Sequence, residues 1–270
     1  MDSASLYAAT VERPFVIAGP CVLESRAHAL EVALAVREAA AGLPLTVFFK
    51  SSFDKANRTS LENYRGPGLA TGIEWLAEVA EKSALPVVTD IHHPEQAEVA
   101  GRVAHVLQIP AFLCRQTDLL LAAGRSGRII NIKKGQFMAP WDMQPALDKV
   151  RSTGNTAIWL TERGSSFGYN NLVVDFRSLE IMRGMGVPVV FDGTHSVQLP
   201  GGLGRSSAGQ RAFVPLLCRA AAAAGCRGIF LEVHPDPDKA LCDGPNSLQL
   251  DRLPLLLRDL VAVWDIRYAC

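Results

Sequence analysis

The sequence lacks an excess of either charge, because 27 lysine and arginine residues balance 27 aspartate and glutamate residues. A balanced chain has no overall field that would attract nucleic acid or an anionic membrane surface. It also lacks any apolar run close to the roughly 18 residues that a membrane-spanning helix needs. We therefore expect a soluble protein without a nucleic-acid or membrane partner, in which any attraction for anions is local.

Closely spaced cysteine pairs are absent as well. The cysteines lie far apart without C-x-x-C spacing, at Cys21, Cys114, Cys218, Cys226, Cys242 and Cys270. The first residues, MDSASLYAATVERP, lack the basic-then-apolar pattern of a secretory signal peptide. These absences predict a cytoplasmic protein with reduced thiols.

Short runs rich in valine, isoleucine and phenylalanine are what the sequence does contain, and they recur along the whole chain. The runs are FVIA (15–18), LTVFF (45–49), PVVTDI (86–91), VLQI (106–109), IINI (129–132), AIWLT (157–161), PVVFD (188–192) and GIFLE (228–232). They are continuously apolar, which is typical of parallel strands covered on both faces. Helical patterns lie between them, for example over Leu69, Ile73 and Leu76.

This alternation predicts the fold class. A parallel α/β chain of about 250 residues fits a closed (β/α)8 barrel, with an open doubly wound sheet as the alternative. No long linker, charge run or low-complexity tract marks a second domain. We therefore expect residues 1–270 to form a single-domain TIM barrel.

Cationic residues follow several of the predicted strands, where a barrel of this kind carries its chemistry. They are Lys50, Lys55, Arg58, Lys133, Lys134 and Arg163. Ammonium and guanidinium groups donate charge-assisted hydrogen bonds to phosphates and carboxylates. The alternative is that they are ordinary solvated loop charges. As a group they predict anionic substrates.

Residues of metal-ligand type follow strands 7, 8 and 1, whose ends are neighbours when a barrel closes. They are Cys21, His195, Glu232 and Asp243. A thiolate, an imidazole and two carboxylates suit a divalent transition metal better than Mg²⁺, which prefers oxygen ligands. The pattern predicts such a metal and no organic cofactor.

Other interpretations of these residues stay open from the sequence alone. Cys21 fits a small buried hydrophobe, or a nucleophile with His195 as its base. Two nearby acidic groups would raise the pKa of the Cys21 thiol, whereas a bound cation would reverse that effect. His234 is an alternative to His195. Side chains alternate between the two faces of a strand, and without the exact end of strand 8 the sequence does not show whether Glu232 or His234 points inward.

Eight segments taken together are informative about family. They are IAGPCVLES, FFKSSFDKANRTS, TDIHHPEQ, LQIPAFLCRQTDLL, NIKKGQFMAPWDM, TERGSSFGYNNLVVDFRS, FDGTHSVQLPG and LEVHPDPDKALCDGPN. From Phe15 to Leu250 the chain resembles the 3-deoxy-D-manno-octulosonate 8-phosphate synthases, also called 2-dehydro-3-deoxyphosphooctonate aldolases. The KANR motif favours them over the related 3-deoxy-D-arabino-heptulosonate 7-phosphate synthases, which carry a KPR-type sequence there.

The resemblance implies an activity and the residues that support it. The reaction condenses phosphoenolpyruvate with D-arabinose 5-phosphate and water on the route to lipopolysaccharide. The implied sugar phosphate site is Lys55, Asn57, Arg58, Thr59 and Asp90. The implied phosphoenolpyruvate contacts are Lys50, Ser52, Gln108, Lys133 and Arg163, with His92 in the same cavity. The implied participants in the chemistry are Lys55, Lys133, His195 and Asp243.

The resemblance also implies an assembly and a metal. It implies a homotetramer in which Phe112 and Arg115 reach a neighbour's site, and a loop at residues 198–210 that closes over the substrates. Metal-using members carry cysteine where this chain has Cys21, which implies Fe, Mn, Co, Zn or Cd bound by Cys21, His195, Glu232 and Asp243. Cys242 is more typical of the metal-free branch, so a weak or dispensable metal stays open.

Three other functions remain as alternatives. A Schiff-base aldolase would use Lys133 as its nucleophile. A sister synthase would act on erythrose 4-phosphate, and a non-catalytic barrel would only bind sugar phosphates.

Overall fold

A computed structural model describes residues 2–201 and 208–268. Its main feature is a closed barrel of parallel strands, in which each strand pairs with the next and the last pairs with the first. The strands are β1 (Phe15–Gly19), β2 (Thr46–Lys50), β3 (Val87–Asp90), β4 (Val106–Ile109), β5 (Ile129–Lys133), β6 (Ile158–Glu162), β7 (Val189–Asp192) and β8 (Gly228–His234). The predicted barrel is confirmed, and the alternative of an open sheet is wrong.

Helices surround the barrel. They are α1 (Ser3–Glu12), α2 (Arg26–Ala39), α3 (Leu69–Ser83), α4 (Gln96–Gly101), α5 (Thr117–Arg125), α6 (Gln144–Arg151), α7 (Arg177–Arg183), α8 (Val214–Ala224) and α9 (Leu253–Tyr268). Short strand pairs join 165–166 to 172–173 and 198–199 to 208–209, while 248–249 lies beside β8. Over the described ranges, no helix combines the length and the apolar character needed to cross a bilayer.

Alternation along each strand sorts the apolar side chains into two core clusters. One set faces the barrel interior, including Phe15, Phe48, Trp159 and Phe230. Its rings are in contact, with 4.5 Å between the ring centroids of Phe15 and Trp159. The other set, which includes Phe49, faces the surrounding helices. Because successive side chains of a strand point to opposite faces, continuously apolar strands supply both clusters.

The helix α1, which the sequence analysis did not predict, packs against the inner cluster. Its Leu6 is almost fully buried among the inner apolar side chains. Trp159 donates a hydrogen bond from Nε1 to Thr10 Oγ1 at 3.1 Å, and the Tyr7 hydroxyl donates to the Ile158 carbonyl at 3.4 Å. This helix therefore covers the amino ends of the strands, opposite the ends that carry the polar residues.

A polar layer lies directly above the aromatic one. On several strands, the residue two positions after an inward apolar residue is a buried polar residue, so that Phe48 is followed by Lys50, and Phe230 by Glu232. Asp90, Gln108 and Asp192 are buried polar residues that likewise lie two positions after an inward apolar residue on their strands. Period-two alternation therefore places a set of charged and amide groups inside the barrel at its carboxyl end.

Candidate active site

A cavity of about 560 Å³ opens at the carboxyl ends of the strands. Its volume is in the range of sites that enclose small ligands. Most of the predicted site residues line it, namely Lys50, Lys55, Asn57, Arg58, Thr59, Asp90, His92, Gln108, Lys133, Arg163, His195, Glu232 and Asp243. The polar strand ends therefore converge on one enclosed space, as the sequence predicted.

Lys133 and Asp192 form an ion pair at the base of this cavity. Lys133 Nζ lies 2.5 Å from Asp192 Oδ2 and 3.7 Å from the centroid of the Phe230 ring. Burial lowers the pKa of Lys133, although the nearby Asp192 carboxylate opposes that effect. Burial acts to raise the pKa of Asp192, but the neighbouring His195 and Lys133 hold it well below its usual range. Asp192 is therefore an ionised carboxylate.

The same carboxylate orients His195. Asp192 Oδ2 lies 2.9 Å from His195 Nδ1, and Asp192 Oδ1 accepts a hydrogen bond from the His195 backbone N–H at 2.9 Å. Burial lowers the pKa of His195, but the carboxylates of Asp192 and Glu232 outweigh burial and raise it. The arrangement directs the other ring nitrogen, Nε2, toward Glu232 and Asp243.

Lys50, Ser52, Asp90 and His92 form a second buried network. Lys50 Nζ donates to Ser52 Oγ at 2.7 Å, and Ser52 Oγ donates to Asp90 Oδ1 at 2.5 Å. His92 Nε2 lies 3.2 Å from Asp90 Oδ2. Burial acts to raise the pKa of Asp90, but Lys50 and His92 lower it well below its usual range. Ser52 therefore contacts the cavity network through Lys50 and Asp90.

The four residues of metal-ligand type lie in two adjoining groups that share Asp243: Cys21 is close to Asp243, and His195 is close to Glu232 and Asp243. His195, Glu232 and Asp243 line the cavity, whereas the buried Cys21 lies outside its lining. Cys21 Sγ lies 3.3 Å from Asp243 Oδ2. His195 Nε2 lies 3.6 Å from Glu232 Oε1 and 3.7 Å from Asp243 Oδ2. A tetrahedral ion with bonds of about 2.0–2.3 Å spaces its ligand atoms about 3.3–3.7 Å apart, so these separations are compatible with a shared cation.

The state of Glu232 supports a cation at this place. Its carboxylate is fully buried, and within the described part of the chain neither of its oxygens has a hydrogen-bond partner. The cationic groups near it are His195 Nε2 at 3.6 Å and Lys55 Nζ at 3.9 Å. A buried carboxylate whose oxygens accept no hydrogen bond is costly even beside cations at these distances, whereas a bound divalent ion would compensate it.

The Cys21 thiol fits the same interpretation. Burial raises the pKa of Cys21 well above its usual range, and Cys242 and Glu232 raise it further. Without a cation the thiol is therefore protonated, and a nucleophilic role for Cys21 is disfavoured. A metal ion would stabilise the thiolate instead. Cys21, His195, Glu232 and Asp243 together fit a divalent transition metal.

Arg58 connects the metal-ligand side of the cavity to the loop that was predicted to bind phosphate. Its Nη1 donates to Cys242 Sγ at 2.6 Å, and its Nη2 donates to the Leu241 carbonyl at 3.3 Å. Among the described residues its buried Nε has no hydrogen-bond partner. Arg58 thus keeps a free donor, as expected of a side chain that binds an anion.

Some predicted residues lie elsewhere. Lys134 is buried outside the cavity, where its Nζ lies 3.4 Å from Glu162 Oε1 and donates to Ser165 Oγ at 3.0 Å. Including it among the anion-binding cations was wrong. The Arg115 side chain is exposed and does not belong to the lining of the cavity.

His234, the alternative to His195, also lies elsewhere. Its Nε2 lies 3.5 Å from Glu24 Oε1, and its ring packs against the tilted ring of His28 with 4.7 Å between centroids. Glu232 faces the cavity and His234 does not, so the interpretation that replaces His195 by His234 is wrong.

The predicted closing loop at 198–210 falls partly outside the described residues. Gln198, Pro200 and Gly201 line the cavity, and Arg163 donates to Gln198 Oε1 at 3.0 Å. Residues 202–207 lie outside the described part of the chain. The prediction of a closing loop therefore stays a prediction.

Two residues of the site were not predicted as site residues. Asp192 orients Lys133 and His195, and Cys242 contacts Arg58. The signal for Asp192 was available, because it lies two residues after the inward Val190 on β7. The contact of Cys242 with Arg58 joins residues 184 positions apart in the sequence, which no local pattern indicates.

Comparison with known proteins agrees with this geometry. A family model described as the DAHP synthetase I family matches residues 7–266. Several relatives carry the name 2-dehydro-3-deoxyphosphooctonate aldolase. The protein from Nitratidesulfovibrio vulgaris (strain DP4) is 64% identical over 266 residues, covering 98% of this chain and 97% of the relative. The protein from Syntrophotalea carbinolica is 62% identical and covers 92% of this chain and 90% of the relative. The protein from Geobacter sulfurreducens is 57% identical and covers 93% of each chain.

Proposed function

Because the chain belongs to the DAHP synthetase I family, we propose that it condenses phosphoenolpyruvate with D-arabinose 5-phosphate and water. The products are 3-deoxy-D-manno-octulosonate 8-phosphate and inorganic phosphate, and the reaction supplies a precursor of lipopolysaccharide. Relatives up to 64% identical that carry the aldolase name support this reaction rather than that of the sister synthases. The resemblance seen in the sequence is confirmed.

One observation supports the assignment of substrates to the site: the predicted anion-binding residues form a deep, cationic set and a set at the rim of the cavity. Lys50, Lys133 and Arg163 are only 2%, 6% and 3% exposed, whereas Arg58 and Thr59 lie in a partly exposed loop at the edge. The deep set suits the small, highly charged phosphoenolpyruvate. The rim set suits the phosphate at the far end of a longer sugar, whose aldehyde would then point inward.

The side chains have distinct roles in the condensation. C3 of phosphoenolpyruvate attacks the sugar aldehyde, water adds at C2, and phosphate leaves by cleavage of the C–O bond. Lys133 and Arg163 stabilise the negative charge of the departing phosphate. Burial lowers the pKa of Lys55, but the negative groups around it, including the carboxylates of Glu232 and Asp90, raise it overall, so that this ammonium is protonated. Lys55 therefore serves as the proton donor to the new alkoxide.

Cys21, His195, Glu232 and Asp243 would hold a divalent transition metal, which is Fe, Mn, Co, Zn or Cd on ligand chemistry. Such an ion polarises a carbonyl oxygen or lowers the pKa of a water molecule. Asp192 lies 2.9 Å from His195 Nδ1 and accepts from the His195 backbone N–H, which leaves Nε2 on the side of the ligand group. Orientation of a ligand histidine by a carboxylate is a common feature of metal sites.

We also propose a cytoplasmic homotetramer. Phe112 lines the edge of the cavity yet is 54% exposed, and Phe137 and Trp141 are exposed as well. Large exposed aromatic side chains are typical of interaction surfaces. In a tetramer whose interface covers Phe112, the exposed Arg115 of one subunit would lie close to the site of its neighbour.

Chelation is the test of the metal. We expect activity to fall at least about a hundredfold when the protein is stripped of metal, and to return with Mn²⁺, because a metal supplies several kcal/mol of charge stabilisation. The measurement follows the enol absorbance of phosphoenolpyruvate with arabinose 5-phosphate present. Cys21→Ala should abolish the response to Mn²⁺, whereas Cys226→Ala, which removes another buried thiol outside the cavity, should keep it.

Full activity of protein verified as metal-free would remove the metal from the mechanism. It would leave the synthase assignment unaffected, and it would make Cys21 a packing residue.

Arg58→Ala tests the sugar phosphate site. We expect KM for arabinose 5-phosphate to rise about tenfold to a hundredfold, because a hydrogen bond to a charged group contributes about 1.5–3 kcal/mol. KM for phosphoenolpyruvate should stay within about twofold. The matched control is Arg65→Ala, in the same loop, whose guanidinium is bonded to Asp54 instead. An equal rise in both KM values would contradict the assignment of Arg58 to the sugar.

A further inference from the structure

Cys242 lies beside the proposed metal ligands. The sulfur atoms of Cys21 and Cys242 and a carboxylate oxygen of Asp243 all lie within 4.8 Å of one another. His195, Glu232 and Asp243 form a second group of the same size, and Asp243 belongs to both. The two groups therefore adjoin through one shared carboxylate, and the sulfur of Cys242 faces the same small volume as that of Cys21.

The backbone at Asp243 supports this arrangement. Asp243 has a φ of 49°, in the left-handed region that few residues other than glycine adopt. Its conformation is held by the following turn, in which the backbone N–H groups of Asn246 and Ser247 both donate to the Asp243 carbonyl at 3.0 Å. Strained backbone of this kind concentrates at functional sites. Here it accompanies two consecutive side chains that both reach the same group of ligand atoms.

Arg58 provides an independent observation on Cys242. Its guanidinium donates to Cys242 Sγ, so the sulfur of Cys242 acts as an acceptor toward a positive charge. The Cys242 side chain is only 3% exposed. A buried sulfur that already accepts from a cation, next to a second thiol and the Asp243 carboxylate, has the surroundings of a metal ligand rather than those of a packing residue.

We propose that Cys242 is a second sulfur ligand of the metal held by Cys21, His195, Glu232 and Asp243. This inference rests on the proposed function, whose metal it specifies. On binding, the metal–sulfur bond forms as the thiol proton leaves to the buffer. A pair of thiolates selects thiophilic ions such as Zn²⁺ and Cd²⁺ over Mn²⁺, because soft ligands prefer them.

The same proposal links the metal to the sugar site. Arg58 is the predicted ligand of the sugar phosphate, and it contacts Cys242 Sγ. A sugar phosphate that draws Arg58 toward itself therefore removes a donor from Cys242 and leaves its sulfur free for the metal. The sulfur coordination of the metal should then strengthen when arabinose 5-phosphate binds.

The test is the ultraviolet sulfur-to-cobalt charge-transfer absorption of the full-length protein loaded with Co²⁺, together with its measured cobalt content. The absorption scales with the number of coordinated thiolates. We expect Cys242→Ser and Cys21→Ser each to lose about half of it per bound cobalt, and the double variant to lose all of it. Cys114→Ser, at a buried thiol outside the cavity lining, should leave it unchanged.

Each outcome decides a different point. An undiminished band in Cys242→Ser at equal cobalt content would overturn the second ligand and leave the synthase and its metal intact. Protein that retains no cobalt at any position would overturn both this inference and the metal role, and the condensation assay would still report on the reaction. Because serine is nearly isosteric with cysteine, circular dichroism that matches the parent protein will confirm that Cys242→Ser is folded.

Discussion

Replacing Lys133 by methionine is expected to lower turnover by about a hundredfold to a thousandfold, as loss of one preorganised charge-stabilising donor does in other enzymes. Methionine keeps the length of the stem and removes the ammonium. Lys133 Nζ lies at the base of the cavity, paired with Asp192 and above the Phe230 ring, and in the proposed mechanism it would stabilise the departing phosphate. Phosphate release under saturating substrates is the measurement.

The control is Lys82→Met, at an exposed lysine that pairs with Glu78 on the outer face of α3. It should leave turnover unchanged. A Lys133→Met enzyme within about tenfold of the parent would remove Lys133 from the charge-stabilising role, since that loss is below the range expected for one donor.

The Lys133 amine is also the candidate nucleophile of an alternative, Schiff-base mechanism. Burial lowers its pKa, and an amine of lowered pKa is what a Schiff-base aldolase requires. Borohydride treatment of the parent enzyme with both substrates should leave its mass unchanged. A mass increase that Lys133→Met abolishes would instead establish the covalent mechanism.

Replacing Asp192 by leucine is expected to lower the free energy of unfolding by about 3–5 kcal/mol and to abolish activity. The side chain is completely buried, and its loss would leave the Lys133 ammonium without its partner in the barrel interior. His195 would also lose the contact that orients its ring. Urea unfolding followed by circular dichroism gives the stability. Asp175→Asn breaks the exposed pair with Arg177 and should cost less than about 1 kcal/mol.

A double variant separates charge from packing. When Lys133→Met is added to Asp192→Leu, most of the lost stability should return, because the unpaired charge is removed, while activity stays absent. A double variant no more stable than Asp192→Leu would show that the cost comes from shape rather than from the buried charge.

The strands could be predicted because each is buried on both faces, so their apolar runs are continuous. The ends were less certain, since β2 finishes at Lys50 and β5 at Lys133, which are charged residues that point into the cavity. The helix α1 was missed for a different reason. Its buried residues are Ser3, Leu6 and Thr10, of which two are polar and find remote partners, at the carbonyl of His105 just before β4 and at Trp159 on β6.

The sequence predicted some contacts of the site and missed others. Barrel closure brings strands 7, 8 and 1 together, which accounts for Cys21 lying beside Asp243 and for the grouping of His195, Glu232 and Asp243. The error at Lys134 came from treating adjacent lysines alike, although alternation along β5 sends Lys133 inward and Lys134 outward. Cys242 could not be placed by pattern, because its contact with Arg58 depends on how two loops pack.

The aromatic layer beneath the polar residues is a region of low dielectric constant. Phe15, Phe48, Trp159 and Phe230 exclude water from below the charged groups, and α1 covers that end of the barrel. Because this apolar layer has a low dielectric constant, the electric field of Lys50, Lys133 and Arg163 is focused toward the mouth of the cavity. The carboxylates of Asp90, Asp192, Glu232 and Asp243 share this end of the barrel and offset part of that field, so the attraction for incoming anions in a chain of zero formal net charge is local to the cavity.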